Sequence, residues 1–162
     1  MSKKGIEKTN VMRILDQKKI PYEAHTYPHG NDPIGGVTVA SLIQRAPEQV
    51  FKTLVARGAS KEIYVFVIPV PLELDLKKAA KAAGEKSIAM IHVSEITPLT
   101  GYVRGGCSPI GMKKQYDTVY DESCLAQDTM IVSAGKIGFQ IETAPQYLIQ
   151  ITRGKTADLT VQ

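Results

Sequence analysis

A lysine stands where the sequence otherwise predicts a buried β-strand. The segment PEQVFKTLVARG, residues 47–58, is apolar and β-branched from Val50 to Val55, yet Lys52 lies in the middle of that run. An unpaired ammonium group in a dry core is energetically costly. We therefore expect this side chain to reach water, to find a charged partner or to serve a binding site.

Histidine and cysteine predict neither a metal site nor a nucleophile. His25 and His29 are four residues apart, but Pro28 between them opposes a shared helical face, and no glutamate follows as in zinc proteases. Cys107 follows two glycines, yet its neighbours offer no base that would stabilise a thiolate. We interpret Cys107 as a small apolar filler, and we expect no metal and no other cofactor.

A glycine-rich segment, TGYVRGGCSPIGMKK, is the second candidate for chemistry. It matches neither a dinucleotide-binding fingerprint nor a P-loop, and Ser108 lacks the frame of a nucleophile elbow. Gly105 and Gly106 would let the backbone approach a ligand closely and offer amide groups to an oxygen atom. Composition alone leaves a binding loop and an ordinary turn with solvated lysines equally open.

The predicted strand at residues 138–143 has one polar face. Because side chains alternate along a strand, Gln140 and Glu142 share a face and the apolar residues between them share the other. Such a polar face is usually the solvated one. If it pointed into a cleft, it would be a recognition surface.

Hydrophobic periodicity predicts the elements that position these residues. Strands are expected at residues 22–27, 50–55, 61–70, 88–92, 118–120, 130–133 and 138–143. Helices are expected from about Val11 to before Pro21, from a Thr38 cap through Gln44, from an Asp75 cap to Gly84, and from Pro145 through Gln150. Residues 97–111 are expected to form a long loop. This interleaving predicts an α/β (α+β mixed) class with a mixed sheet and helices packed around it.

Bulk composition predicts an ordinary globular protein. The chain has 162 residues, of which 43% are hydrophobic and 22% charged, with a net charge of +4. No apolar run approaches the roughly 18 to 20 residues that span a bilayer, and no apolar secretion signal is recognisable. The expected location is a reducing cytoplasm, and the mild positive charge is compatible with a polyanionic partner.

Five stretches carry a resemblance in their order and spacing: HTYPH, PEQVFKTLV, LDLKKAAKAAG, TGYVRGGCSPIG and VSAGKIGFQIE. Over residues 6–159 the chain resembles the YbaK family, free-standing relatives of the editing domain inserted in bacterial prolyl-tRNA synthetases. The resemblance implies one domain over residues 1–162, with a curved mixed β-sheet and surrounding helices. It also implies deacylation in trans of a mischarged tRNA, Cys-tRNA(Pro) or one carrying a similar small residue. Prolyl-tRNA synthetase is the further partner implied, and a membrane is not.

The resemblance also assigns roles to individual residues. It implies a catalytic role for Lys52, whose ammonium would project into the substrate cleft, and for Gly105, whose loop would hold the developing oxyanion. The implied substrate-binding residues are Tyr27, Thr53, Gly106, Ser108 and Gln140. Gln140 departs from cysteine-editing relatives, which carry an aspartate there for the substrate's α-ammonium. Glu142 on the same face is the residue that would compensate.

Two alternatives stay open. In cysteine-editing relatives the substrate's own thiol is thought to attack its ester and release a thiolactone, whereas a residue without a thiol requires attack by water. The missing charge at Gln140 also suits a protein of this fold that binds tRNA or nucleotide, or regulates, without turnover. Hydrolysis of charged tRNA distinguishes a deacylase from such a binding protein.

Overall fold

Two β-sheets organise the chain, which a computed structural model describes over residues 7–161. The strands are β1 (Glu23–Thr26), β2 (Phe51–Gly58), β3 (Ile63–Pro69), β4 (Ile88–Met90), β5 (Asp117–Asp121), β6 (Met130–Ser133), β7 (Phe139–Thr143) and β8 (Lys155–Ala157). The predicted domain spans residues 1–162, and its residues 1–6 and 162 lie outside the described residues. Residue 6, where the family resemblance begins, is among them.

Helices connect and cover these strands. They are α1 (Asn10–Gln17), α2 (Gly36–Leu42), α3 (Leu76–Ala83), α4 (Ile96–Thr100) and α5 (Pro145–Thr152), with 3₁₀ turns at Pro47–Gln49, Val93–Glu95 and Glu122–Ala126. The expected mixed α/β class is confirmed. No helix within residues 7–161 combines the length and the apolar character that a bilayer crossing requires.

Each sheet combines strands that are distant along the chain. The first sheet has the order β1–β7–β6, and the second has the order β4–β2–β3–β5–β8. The second sheet is mixed, because β2 pairs antiparallel with β3 and β4, whereas β5 pairs parallel with β3 and β8. An isolated parallel bridge between Val50 and Ile131 joins the two sheets, so the predicted curved sheet is divided at this point.

The principal core lies between the two sheets. There α1 contributes Val11, Met12 and Leu15, which pack with apolar residues of β3, β5, β6 and β7. Thr9 caps α1, since its hydroxyl accepts the Met12 N–H, and this fixes where the helix begins. A second cluster packs α3 against the outer face of the large sheet. A third surrounds α2 at the junction of the sheets, where the candidate site lies.

Three details of the sequence prediction are wrong. Thr38 does not cap α2, because that helix begins earlier and has Gly35 as its N-cap. The predicted loop at residues 97–111 begins within α4, a short helix that ends at Gly101 with a left-handed backbone. The strand Lys155–Ala157 was not predicted, and it exists through parallel pairing with β5.

Candidate active site

A cavity of about 290 Å³ lies where the two sheets meet, along one edge of β2. Its apolar wall comes mainly from α2, the start of β2 and the end of β3. The opposite wall comes from β4, the 3₁₀ turn after it, the glycine loop, β6 and β7. The lining residues that carry polar or charged groups in their side chains are Tyr27, Lys52, Thr53, Arg104, Cys107, Ser133 and Gln140.

The backbone N–H and C=O groups of Thr53 point away from β3, because hydrogen-bonded and non-hydrogen-bonded residues alternate along β2. At one end of the β2–β3 pair, the Val70 N–H donates to the Val50 carbonyl at 2.8 Å. At the other end, the Gly58 N–H donates to the Glu62 carbonyl at 2.9 Å. Since bonded and non-bonded pairs alternate in antiparallel sheets, the odd-numbered residues of β2 point their N–H and C=O groups to the opposite edge.

That opposite edge is only partly covered by β4. The Ile91 N–H donates to the Val55 carbonyl at 3.3 Å, and the chain then turns into the 3₁₀ segment Val93–Glu95. The N–H and C=O groups of Thr53 therefore lie on an open strand edge that borders the cavity. An open edge of this kind offers main-chain donors and acceptors to a ligand.

Lys52 lies at this edge and lines the cavity. Its side chain is partly buried, and within residues 7–161 its ammonium has neither a hydrogen bond nor an ion pair. Burial lowers the pKa of Lys52, and the more distant charge of Glu73 only partly opposes this effect. The ammonium is thus desolvated without a protein counter-ion, which favours an anionic or strongly polarised ligand group beside it.

Two neutral side chains among the lining residues contain buried polar atoms. Gln140 is 6% exposed, and its Oε1 has no hydrogen-bond partner among the described residues. The Oγ1 of Thr53 is likewise buried and unpartnered. Buried polar atoms are nearly always hydrogen-bonded, and leaving one unsatisfied costs about 1–3 kcal/mol. Both atoms are therefore candidates for ligand contacts.

Tyr27 forms part of the inner wall. It is 5% exposed and packs in the third core cluster with Val39 and Val50, and its backbone N–H donates to the Gly138 carbonyl. Its hydroxyl makes no hydrogen bond to any residue in the described range. The ring is therefore held rigidly while its polar end remains available to a ligand.

The glycine loop contributes Gly105 but not Gly106 to the lining. Gly105 is exposed and has a left-handed backbone, with φ of +87°. Gly106 is buried, and its N–H already donates to the Val103 carbonyl. A Cβ atom at Gly106 would lie 3.0 Å from the backbone nitrogen of Ile137, so this glycine permits two segments to pack closely. Of these two glycines, Gly105 is the one positioned to offer its backbone to a ligand.

Ser108 lies inside the turn rather than on the cavity surface. It is completely buried, and its hydroxyl accepts the Ile110 N–H at 3.3 Å. The structure therefore brings five of the seven predicted site residues to one cavity, namely Tyr27, Lys52, Thr53, Gly105 and Gln140. The substrate contacts assigned to Gly106 and Ser108 stay predictions.

Side chains that act as bases at neutral pH are absent from the described lining, which has no aspartate, glutamate or histidine. Cys107 borders the cavity, but burial raises the pKa of its thiol to about 11. The thiol is therefore protonated near neutral pH and is a poor nucleophile. This agrees with the interpretation of Cys107 as a filler, since it also packs against the principal core.

The basic residues near the glycine loop have different positions. Arg104 lines the cavity, and no residue between 7 and 161 pairs with its guanidinium. Lys136 pairs with Glu7 at 2.7 Å, and the ammonium of Lys114 lies 5.9 Å from the ring centroid of Tyr116. Of the basic side chains in this region, Arg104 is thus the one placed to meet an anionic ligand at the cavity.

Glu142 does not compensate for Gln140, because it is engaged elsewhere. Its carboxylate accepts hydrogen bonds from the Thr129 hydroxyl at 2.6 Å, from Gln49 Nε2 at 3.1 Å and from Arg45 Nε at 3.2 Å, and His25 Nε2 lies 2.7 Å away. Glu142, His25 and Glu23 lie close enough together to resemble a set of metal ligands. The guanidinium of Arg45 already occupies the position of the cation.

We expect Glu142→Gln to lower the free energy of unfolding by about 1–3 kcal/mol at pH 7. Burial alone raises the pKa of Glu142, but hydrogen bonds from Thr129 and His25 and the charge of Arg45 outweigh it and leave this pKa lowered. The carboxylate therefore stabilises the protein above the ordinary carboxyl pKa of 4.5, and this contribution disappears as the pH falls through the lowered value.

Urea denaturation at pH 7, 5 and 3 measures this effect, with the exposed Glu62→Gln as the control. The difference between wild type and Glu142→Gln should shrink in acid, whereas the control should remain close to wild type throughout. An undiminished difference at pH 3 would contradict the role given to the ionised carboxylate.

Sequence reasoning missed most of the apolar lining and Ser133. Ser133 is 8% exposed, and its hydroxyl accepts the Gly135 N–H at 3.1 Å, so it shapes the turn before β7. Gly36 was missed as well, although a Cβ atom there would come within 2.6 Å of Val70. The sequence signal for Gly36 was a pair of glycines that follows a loop containing two prolines. Such a pair indicates close packing, but it does not identify the residue packed against it.

Comparisons with known proteins identify the family that this chain resembles. The family profile of the aminoacyl-tRNA editing domain matches residues 37–151. A protein of Enterococcus faecalis (strain ATCC 700802 / V583), provisionally named Cys-tRNA(Pro)/Cys-tRNA(Cys) deacylase EbsC, is 44% identical over 160 residues, which cover 99% of this chain and 98% of the relative.

Solved structures show that the fold is shared more widely. One, provisionally described as a trans-editing enzyme for prolyl tRNA synthetase, superposes with a TM-score of 0.77 at 23% identity, covering 87% of each chain. Another, of a hypothetical protein, has a TM-score of 0.83 at 22% identity and covers 93% of this chain and 99% of its own. At these identities the likeness concerns the fold.

Proposed function

The chain belongs to the aminoacyl-tRNA editing family, and we propose that it acts as a free-standing deacylase that clears mischarged tRNA in trans. One observation carries the proposal. The partly buried ammonium of Lys52 has no partner among residues 7–161, although it lies in a cavity that also holds unpartnered polar atoms. Such a site can bind a polar, electron-rich group, for example an ester next to a phosphate.

In the proposed complex, the aminoacyl ester lies between Lys52 and Gly105. The ammonium and the exposed loop amide both favour negative charge on the carbonyl oxygen, which increases as the tetrahedral intermediate forms. Tyr27 would contact the terminal adenosine, and Arg104 at the cavity would attract a neighbouring phosphate. Thr53 and Gln140 would bind the aminoacyl group, whereas Gly106 and Ser108 would act by shaping the loop.

The chemistry requires no side-chain base if the substrate supplies its own nucleophile. With a cysteinyl ester, the substrate sulfur adds to the carbonyl carbon, the bond to the ribose oxygen breaks, and that oxygen takes the thiol proton. The products are a thiolactone and tRNA with a free hydroxyl. The protein contributes orientation and charge, which can supply a large part of the rate acceleration in such a unimolecular step.

Cysteinyl-tRNA(Pro) is the first substrate to test, because the Enterococcus relative is provisionally named for cysteinyl-tRNA(Pro) and cysteinyl-tRNA(Cys). A synthetase pocket cannot strongly exclude an amino acid of similar size, so a second hydrolytic site corrects its errors. Alanyl-tRNA(Pro) is the alternative, and it would require water as the nucleophile. We further propose that one domain over residues 1–162 works in the cytoplasm with prolyl-tRNA synthetase as a partner.

The test compares hydrolysis of cysteinyl-, alanyl- and prolyl-tRNA(Pro) by the purified protein, with and without prolyl-tRNA synthetase. We expect one of the mischarged tRNAs to lose its amino acid at least about tenfold faster than the correctly charged tRNA, a ratio within the reach of small-residue discrimination. Mass spectrometry of the released product separates a thiolactone from free cysteine.

If neither mischarged tRNA nor any other small-residue ester is cleared, the deacylase proposal fails. Retained binding of charged tRNA in a filter assay would then support the binding-protein alternative. Loss of both binding and turnover would contradict both functions.

A further inference from the structure

Among residues 7–161, cations line the cavity without a carboxylate, and Glu73, whose charge acts on Lys52, lies outside the lining. The cations are Lys52 and Arg104. A free aminoacyl ester carries an α-amino group that is protonated below a pKa of about 8. Two like charges in the same cavity disfavour that protonated form.

The candidate contact for the α-nitrogen is instead the neutral carboxamide of Gln140, which lines the same cavity. Its buried Oε1 lacks a partner, and the residue sits on the central strand of its sheet, paired with His25 on β1 and Ser133 on β6. This double pairing fixes the register, so the side chain cannot be exchanged for a neighbour by a shift of the strand. Glu142, the next carboxylate on that face, is held by Thr129 and His25.

A carboxamide is complementary to another amide. It accepts a hydrogen bond through its oxygen and donates through its nitrogen, whereas a carboxylate only accepts. The unpartnered Oγ1 of Thr53, another residue that lines this cavity, belongs to a hydroxyl that can both donate and accept. The two neutral side chains thus provide donors and acceptors in the numbers that an N–H and an acyl oxygen require.

We propose that this site accepts esters whose α-nitrogen is uncharged and acylated, so that N-acylaminoacyl-tRNA is a second class of substrate. Gln140 accepts the amide N–H of the ligand, and the acyl oxygen is met by Thr53 or by the Gln140 amide nitrogen. Blocking the nitrogen removes the charge that Lys52 and Arg104 oppose. The inference rests on the proposed deacylase function and extends it to a different substrate.

The reaction on an N-acylated residue without a thiol is hydrolysis by water. The water oxygen bonds to the ester carbonyl carbon, the bond to the ribose oxygen breaks, and that oxygen receives a proton from the water. The products are the N-acyl amino acid and tRNA with a free hydroxyl. An acetyl group adds only three heavy atoms to the ligand, which is modest for a cavity of about 290 Å³.

The test measures kcat/KM for alanyl-tRNA(Pro) and N-acetylalanyl-tRNA(Pro) prepared from the same tRNA. For the wild-type protein we expect the acetylated substrate to be cleared at a rate within about tenfold of the free-amine substrate, or faster. For Gln140→Asp we expect the ratio of the two kcat/KM values to shift by roughly 30-fold in favour of the free-amine substrate. The new carboxylate binds an ammonium group, but it cannot donate a hydrogen bond to the acyl oxygen of the acetylated substrate.

Gln140→Glu introduces the same charge as Gln140→Asp, on a side chain that is longer than aspartate. Lys86→Ala changes an exposed residue and is the control that should leave the ratio of kcat/KM values unchanged. The wild-type ratio tests the inference even if the variants fold poorly. Clearance of the free-amine substrate with the acetylated ester cleared more than about tenfold more slowly would overturn the inference and leave the deacylase function intact. An unchanged ratio in folded Gln140→Asp would overturn the role of Gln140, and clearance of neither substrate would count against deacylation of alanyl esters altogether.

Discussion

Replacing Lys52 with alanine is expected to slow deacylation of mischarged tRNA by about 100-fold or more, because it removes the positive charge that we propose lies beside the reacting ester. The ammonium is partly buried and unpartnered within residues 7–161, so no other described residue takes over its position. Single-turnover hydrolysis measures the effect, and the exposed Lys86→Ala is the control. Equal rates for wild type and Lys52→Ala would remove this residue from the mechanism.

The stability of a Lys52 variant should move in the opposite direction to its activity. Because burial lowers the pKa of Lys52 from its ordinary value of 10.5, the charged side chain is unfavourable in the folded protein at neutral pH. The penalty is fully present below the lowered pKa and disappears as the pH rises towards 10.5. Lys52→Met, which keeps most of the side-chain length without the charge, is therefore expected to unfold at an equal or higher temperature at pH 7.

This opposition distinguishes a catalytic role from a structural one. A residue that only supports the fold would lose activity and stability together when replaced. Thermal unfolding of Lys52→Met at pH 7 and pH 10 supplies the readout, and the advantage of the variant should decrease at the higher pH. A lower unfolding temperature for the variant at pH 7 would indicate that the lysine stabilises the sheet.

Replacing Gly105 with alanine is the second change with a large expected effect, again about 100-fold in the rate of deacylation. The left-handed backbone, with φ of +87°, disfavours any side chain, and the new Cβ would lie 2.7 Å from the Cβ of Pro33. The loop must shift to relieve this contact. In the proposed mechanism, this shift moves the Gly105 amide away from the developing oxyanion.

Gly84→Ala is the matched control for this prediction. Gly84 also has a left-handed backbone, with φ of +72°, but its position has no atom within 4 Å of the new Cβ and does not line the cavity. Both variants should lose about 1–2 kcal/mol of stability from backbone strain. Only Gly105→Ala should lose activity, and full activity in that variant would show that the loop does not stabilise the oxyanion.

Several helices and strands were predicted well from sequence, because the interactions that start and end them involve residues only a few positions apart. Asp75 caps α3 by accepting the N–H groups of Lys77 and Lys78 at 2.9 and 3.1 Å, and Gly84 ends the helix with a left-handed backbone. Capping and left-handed termination depend on residue type and close spacing. The β2–β3 hairpin was predictable for the same reason, since both strands are strongly apolar and separated by a short turn.

Errors arose where distant contacts decided the local structure. The helix α2 begins before Thr38, at Gly36, where the missing side chain allows close packing on Val70 of the β3 terminus. The helix α4 includes Pro98, which suggests a loop from sequence but is tolerated in the first turn of a helix. The strand β8 is defined by its pairing with β5, more than thirty residues earlier in the chain.

By itself, the sequence determined the mixed α/β class, the family and the site residue types, because capping, periodicity and motif spacing are local properties. Only the tertiary structure decided that Tyr27, Lys52, Thr53, Gly105 and Gln140 border one cavity, and that Gly106, Ser108 and Glu142 do not. That outcome depends on the register of three antiparallel pairings and on where β4 stops covering β2. A shift of one residue in any strand would turn its side chains to the other face, so the site exists only once the long-range pairings are made.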